Sequence, residues 1–203
     1  MNLQIALLLG QDGITNGAIY ALLALALVLV FAVTRVIFIP QGEFVAYGAL
    51  TMAMLQAGRL PATIWLLVGL GLAAAAADIV TALHTRRRKK LVRAVGWKLL
   101  YPIALAATIW ALPVQEMPLA VQALLTLAIV SPMGPLLYRL AYQPIAAAPV
   151  LILLIVSVAI HVMMVGLGLL FFGAEGQRTP AFSDARFEIG PLLASGQALW
   201  VIF

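Results

Sequence analysis

The sequence predicts an all-α, polytopic bundle of transmembrane helices, from its composition, the length of its apolar runs and the placement of its charges. Hydrophobic residues make up 65% of the chain, charged residues only 9%, and the mean hydropathy is +1.11. Ordinary soluble domains carry about 25% charged residues. Lipid requires backbone polar groups to be paired internally. The long, non-alternating apolar runs therefore favour helices over a barrel.

A spanning helix needs roughly 20 predominantly apolar residues, which predicts about six full spans and the start of another in one domain, residues 1–203. The spans are predicted at about residues 14–33, 44–57, 62–83, 99–112, 119–138 and 150–172, with a further one from about 192. Because that last run is too short to cross, we expect the chain to be the N-terminal portion of a longer protein, and a short interfacial tail is the alternative. Gly13, Gly17 and Ala21 form a small-residue stripe that permits close helix packing.

Lys and Arg residues divide unevenly between the two sides of the predicted bundle. Nine of the twelve lie on one side and three on the other. The basic side is expected to be cytoplasmic, so the segment 84–98 is a cytoplasmic loop, and the loop 174–191 and the N-terminus lie outside. The centre of the basic loop is Arg86, Arg87, Arg88, Lys89 and Lys90. We interpret it as a topology signal. Nucleic acid or anionic lipid is the alternative, although no aromatic or glycine interleaving favours nucleic acid.

Two ionisable residues within predicted spans are candidates for function. Asp78 either lines a polar pathway or pairs with the basic cluster one or two turns later, and we expect the pairing. His161 either relays protons or contacts a substrate, or it is a neutral ring bonded to a neighbouring helix. With no acid on the same helix, the neutral ring is favoured.

Residues 36–44, VIFIPQGEF, place a carboxylate inside an apolar run. The apolar stretch that follows, residues 44–57, would span only about 21 Å as a helix, against a hydrocarbon core of about 30 Å. If it crosses the membrane, residues 38–43 must enter with it, which puts Gln41 and Glu43 in the inner leaflet, facing protein or water. In the alternative, Glu43 stays in a cytoplasmic loop ahead of a short, re-entrant helix.

Three neighbours of this carboxylate have expected roles. Pro40 suits the first turn of a helix, where its missing N–H costs little. Gly42 weakens the helix and permits close approach of a neighbour. Arg35, a few residues upstream, is the expected partner of Glu43.

No pattern in the sequence indicates an enzyme. There is no cysteine, and we find no metal motif, no phosphate-binding loop and no nucleophile elbow. We therefore expect no cofactor and no catalysis by this chain.

Two blocks carry a family signal. Residues 13–50 contain Gly13, Gly17, Tyr20, Ala21, Leu22, Val36, Ile37, Gly42, Glu43 and Phe44 at the spacing of a family opening span and the turn after it. Residues 138–175 match a loop and the next span through Tyr138, Arg139, Tyr142, Pro144 and Pro149. Together the blocks resemble the permease subunits of branched-chain amino acid ABC transporters. Phe38 and Gln41 stand where that family often has Asn and His.

The resemblance implies a multi-pass permease of the bacterial inner membrane. It would work with a second permease subunit, cytoplasmic ATP-binding subunits that hydrolyse ATP, and a periplasmic substrate-binding protein. It implies a place at the substrate pathway, or at a structural turn, for Gln41, Gly42, Glu43, Asn16 and Tyr20. The family's C-terminal half, with the loop that couples to the ATPase, is expected in a continuation of the chain or in a separate polypeptide.

The substrate and the transport class keep alternatives. Branched-chain amino acids are the expected substrate, with urea, short amides and other amino acids as alternatives. An ion-coupled secondary transporter is the competing class, which would need paired intramembrane acids or broken helices in repeated halves. The third functional class is a membrane anchor or assembly subunit that has no transport role.

Overall fold

The computed structural model describes residues 3–85, 91–177, 179, 185–189, 192–197 and 201. Within these residues the α-helices are α1 Leu3–Thr34, α2 Gln41–Gln56, α3 Thr63–Thr85, α4 Leu91–Ala111, α5 Leu119–Val130, α6 Met133–Leu137 and α7 Val150–Phe172. The shorter elements are 3-10 turns at Val114–Glu116 and Gln143–Ile145, a π-helical segment at Tyr138–Tyr142, and the antiparallel strands β1 Arg186–Ile189 and β2 Leu192–Ser195. Helices therefore dominate the described chain, as predicted.

Four helices of the described chain are long and apolar enough to cross a membrane: Ile5–Thr34, Thr63–Ala82, Leu119–Ile145 and Val150–Phe172. These spans support a helical membrane protein, but the predicted six full spans and part of another are not all confirmed. α2 has only 16 residues, or about 24 Å of helix. α4 has 21 residues and encloses a proline, Pro102.

Several element boundaries differ from the predicted ones. α1 begins at Leu3, because the residues ahead of the predicted start at 14 continue the same apolar helix. α4 begins at Leu91, so the second half of the predicted loop 84–98 is helical, while residues 86–90 lie outside the described chain.

The prediction that a helical span begins near residue 192 is wrong for its first residues. Leu192–Ser195 is a strand, paired in register with Arg186–Ile189. An apolar run of four residues does not distinguish a helix from a strand. The hairpin partner, which lies in the predicted loop 174–191, decides the outcome by satisfying the backbone groups.

The ends of α1 and α2 are set by residues with positive φ. After α2, Gly58 has φ 66, its N–H donates to Leu55 at 3.1 Å, and the N–H of Arg59 donates to Met54 at 2.9 Å. This pair of bonds is a Schellman motif. After α1, Arg35 has φ 57, a left-handed conformation that costs an L-residue about 1–2 kcal/mol. The chain reverses at Arg35 and enters α2.

The span Leu119–Ile145 is an interrupted helix, where a single helix was predicted to about residue 138. It turns at Ser131 and Pro132, and then continues through α6 into the π-helical segment. Proline removes a backbone donor from a helix, and π segments are frequent at functional sites. The irregular region is where Tyr142 becomes buried.

Two clusters of buried apolar residues hold the bundle together. One joins α2, the π segment and α7; its buried members are Val36, Tyr47, Leu137, Tyr142, Leu153, Ile160 and Met164. The other joins α2 to α3, α4 and α5; its buried members are Leu55, Ile64, Ile109, Val114 and Ile129. α2 contributes to both clusters and is the central helix.

α1 lies at the edge of the bundle. Its apolar window Ile5–Thr34 has a mean hydropathy of 2.5, and none of it is buried by the rest of the chain. A helix that is hydrophobic all round belongs in lipid or inside a larger assembly. Its main contacts within the chain are with α2 and β2.

Candidate functional site

α2 begins inside the bundle, beside the middle of α1. Nε2 of Gln41 donates a hydrogen bond of 2.6 Å to the backbone carbonyl of Leu23. Leu23 lies about 16 Å before the end of α1 at Thr34, at 1.5 Å per residue. The start of α2 therefore lies well back along α1 from the turn that joins the two helices.

Glu43, in the first turn of α2, faces α7 and pairs with His161. Oε1 of Glu43 and Nδ1 of His161 are 3.0 Å apart, which is an ion-pair distance, but the two atoms do not meet hydrogen-bond geometry. The Glu43 side chain is 16% exposed and that of His161 38%. His161 lies about 16 Å beyond the start of α7 at Val150. The first turn of α2 therefore lies beside the middle of α7.

A polar stripe continues from Glu43 along one face of α2. Tyr47 and Thr51 follow at intervals of four, the spacing that puts side chains on one face of a helix. The Tyr47 hydroxyl donates to the Met164 carbonyl of α7 at 2.9 Å. The Thr51 and Thr63 hydroxyls lie 2.8 Å apart, and both side chains are fully buried. This stripe ties α2 to α7 and to the start of α3.

Aromatic rings lie on the other side of the pair. Phe38 contacts Phe44 and Tyr142, with ring centroids 5.6 and 6.0 Å apart. The Tyr142 and Ser157 hydroxyls are 2.7 Å apart, and Ser157 is one turn before His161 on α7. These contacts tie the segment before α2 to the π segment, and the π segment to α7.

An apolar crevice of about 350 Å³ lies next to this region, between α1 and the segment that leads into α2. Its lining residues are Leu23, Ala24, Leu27, Ile37, Phe38, Ile39, Gln41 and Gly42. Oε1 of Gln41 is buried and has no hydrogen-bond partner among the described residues. The carboxamide gives the crevice its polar wall.

The site offers an unsatisfied acceptor in an apolar setting. Oε2 of Glu43 is buried and, within the described chain, unpartnered. Leaving a buried polar group unsatisfied costs about 1–3 kcal/mol, and more for a charged one. An ammonium group or a proton is the donor that fits a carboxylate. No group of three or more His, Cys, Asp or Glu residues suited to a metal is found in the described part of the chain.

In the structure, Glu43 and Asp78 have other partners than the ones predicted from the sequence. Glu43 pairs with His161 and not with Arg35, because the side chain points across to α7. The acid missing from the His161 helix is thus supplied by a neighbouring one. Asp78 is bonded by Lys98 of α4 and by Arg139 of the π segment, whose Nη2 is 2.8 Å from Oδ1. Lys98 belongs to the predicted basic segment, but it approaches from a second helix and not from one or two turns later on α3.

The remaining predicted residues lie away from the pair. Asn16 and Tyr20 are exposed on α1, Tyr20 by 72%. Gly42 is exposed, and a Cβ built there would meet nothing within 4 Å in the described chain, so the expected close approach is absent. Gly13 and Gly17 are equally open and Ala21 is exposed, so no helix of the described chain packs closely on the predicted small-residue stripe. The five predicted topology residues, 86–90, lie outside the described residues.

Sequence reasoning missed Tyr47, Thr51 and the pairing of His161. The spacing of Glu43, Tyr47 and Thr51 by four was the available signal for a polar face on α2. No comparable signal linked α2 to α7, because the two helices are far apart in the chain.

Searches of family models, curated proteins and solved structures found no match to this chain.

Proposed function

We propose that this chain is a membrane permease subunit of an ABC importer for branched-chain amino acids. The observation that carries the proposal is the Glu43–His161 pair between the first turn of α2 and the middle of the apolar helix α7. Ionisable residues inside membrane spans are costly and mark substrate or ion pathways. The two sequence blocks that resemble the permease family contain both members of the pair, which supports the same site.

The pair suits an amino acid substrate on chemical grounds. The unpartnered oxygen of Glu43 accepts an ammonium group, and the imidazole of His161 lies beside it. The apolar crevice next to Gln41 provides volume for a branched aliphatic side chain. Urea, short amides and other amino acids are the alternative substrates, and competition for uptake distinguishes them.

The proposed subunit forms one part of a larger importer. Cytoplasmic ATP-binding subunits hydrolyse ATP, and a periplasmic binding protein delivers the substrate. The open face of α1 at Gly13, Gly17 and Ala21 fits close packing with a second permease subunit. The proposed location is the bacterial inner membrane, with the N-terminus outside.

The test is uptake of labelled leucine by the full chain, assembled with its ATP-binding and substrate-binding partners. We expect Glu43→Gln to lower uptake by about tenfold or more, because hydrogen bonds to charged groups contribute about 1.5–3 kcal/mol. The matched control is Glu116→Gln, which removes an exposed acid of the 3-10 turn. Unchanged uptake in a correctly assembled Glu43→Gln complex would refute the pathway role.

An ion-coupled secondary transporter is the second candidate, and the same Glu43–His161 pair favours it. A carboxylate beside an imidazole within a bundle is a recognised arrangement for proton relays. Reconstituted vesicles separate the two classes. Uptake that requires ATP supports the importer, whereas uptake that follows an imposed proton gradient without partner subunits supports the secondary transporter.

A further inference from the structure

A second charged cluster lies at the opposite side of the bundle from the start of α1, where α3, α4 and the π segment meet. Asp78 of α3 accepts from Lys98 of α4 through Oδ2 and from Nε of Arg139 at 3.0 Å through Oδ1. Both carboxylate oxygens are therefore occupied. Two cations and one carboxylate leave the cluster with one net positive charge.

The two cations keep hydrogen-bond donors that Asp78 does not use. An ammonium group has three donors and a guanidinium group five. Within the described chain Asp78 is the acceptor for both side chains. Lys98 is 20% exposed and Arg139 27% exposed, so the spare donors are accessible from outside. A phosphodiester has the charge and the acceptor oxygens that these donors require.

The residues around the cluster are those expected at a membrane interface. Asp78 lies four residues before the end of the apolar span Thr63–Ala82. Trp97, beside Lys98, is 68% exposed, and Tyr138, beside Arg139, is 36% exposed. Trp and Tyr are enriched at the level of lipid headgroups.

An apolar surface for acyl chains continues from this point along α4. Leu100 and Ile103 follow Trp97 at intervals of three and are 65% and 58% exposed. The backbone of α4 is held tightly here, since a Cβ built on Gly71 of α3 would lie 2.6 Å from the carbonyl oxygen of Lys98. Lys98 is thus presented from a fixed position.

We propose that Lys98 and Arg139 bind the phosphate headgroup of an anionic phospholipid, with the acyl chains lying along Trp97, Leu100 and Ile103. Asp78 balances one of their two charges. The site is independent of the Glu43–His161 pair and of the transport class.

The experiment measures lipid retention by native mass spectrometry of the full chain, purified from mixed phosphatidylglycerol and phosphatidylcholine. We expect Lys98→Gln and Arg139→Gln each to lower the ratio of retained phosphatidylglycerol to phosphatidylcholine by about fivefold, the effect of one basic residue near an anionic surface. Arg59→Gln removes an exposed cation at the other end of the bundle and should leave the ratio unchanged.

Asp78→Asn separates lipid binding from a purely structural role. Removing the acid keeps both cations and raises the net positive charge, so the ratio should rise or hold. If Asp78→Asn lowers the ratio as much as Arg139→Gln in proteins of equal helicity, or if no variant changes it, the proposal is wrong. Displacement of the lipid by millimolar inorganic phosphate would equally overturn it, since the site would then bind free anions.

Discussion

Gly71 offers the sharpest test of how α3 and α4 pack. A Cβ at this position would lie 2.6 Å from the backbone oxygen of Lys98, a separation that requires one helix to move. Gly69, two residues earlier on α3, has no atom of the described chain within 4 Å of the same added Cβ. The two glycines therefore separate a packing effect from helix propensity.

The two substitutions should change the free energy of unfolding in opposite directions. Replacing a helical glycine by alanine stabilises by about 0.8–1 kcal/mol, so Gly69→Ala should raise the free energy of unfolding by about that amount. Gly71→Ala gains the same term but incurs an overpacking cost of about 1–3 kcal/mol, and a backbone neighbour favours the upper half of that range. Its net effect should be a loss of about 1–2 kcal/mol.

The assay is reversible unfolding in mixed micelles, followed by helical circular dichroism, for the wild type and both variants. The difference between the two variants should be about 2–3 kcal/mol. Equal stabilisation by both substitutions would refute the close approach of α3 and α4 at Lys98.

Two further outcomes follow from local geometry. Thr51→Val should destabilise by about 1–2 kcal/mol, because it leaves the buried Thr63 hydroxyl without its partner. The double variant with Thr63→Val should recover part of the loss. Additive losses in the same unfolding assay would contradict the pairing. Arg35→Gly should stabilise the protein by about 1 kcal/mol, since glycine adopts the left-handed backbone at φ 57 without strain. Arg35→Ala should not stabilise it. Equal effects of the two substitutions would show that the charge of Arg35 matters and its backbone conformation does not.

The membrane class and the position of most helices followed from the sequence because apolar length is a local property. α7 has the predicted bounds, Val150–Phe172, since a proline precedes it and a glycine follows it. α2 was recognised as too short for the same reason. Hydropathy cannot report depth, however, and the start of α2 inside the bundle depends on contacts of Gln41 and Glu43 with helices distant in the chain.

The candidate site was predicted in part. Glu43 was singled out because a carboxylate in an apolar run is rare, and His161 because it lies in the middle of a span. Their pairing was not found, since each was considered against residues of its own segment. Arg35 was favoured as the partner of Glu43 by proximity in sequence, but the partner in the structure is His161 of α7.

The two acids embedded in helices differ in how fully they are satisfied, and that difference distinguishes their roles. Asp78 has both oxygens bonded to cations, so each oxygen already has a partner within the described chain. Glu43 has one unpartnered oxygen and an imidazole that is close but misaligned. A native protein keeps few buried polar groups unsatisfied, and those it keeps call for an explanation. Asp78 is therefore the acid that holds helices together, and Glu43 is the acid with capacity left for a ligand.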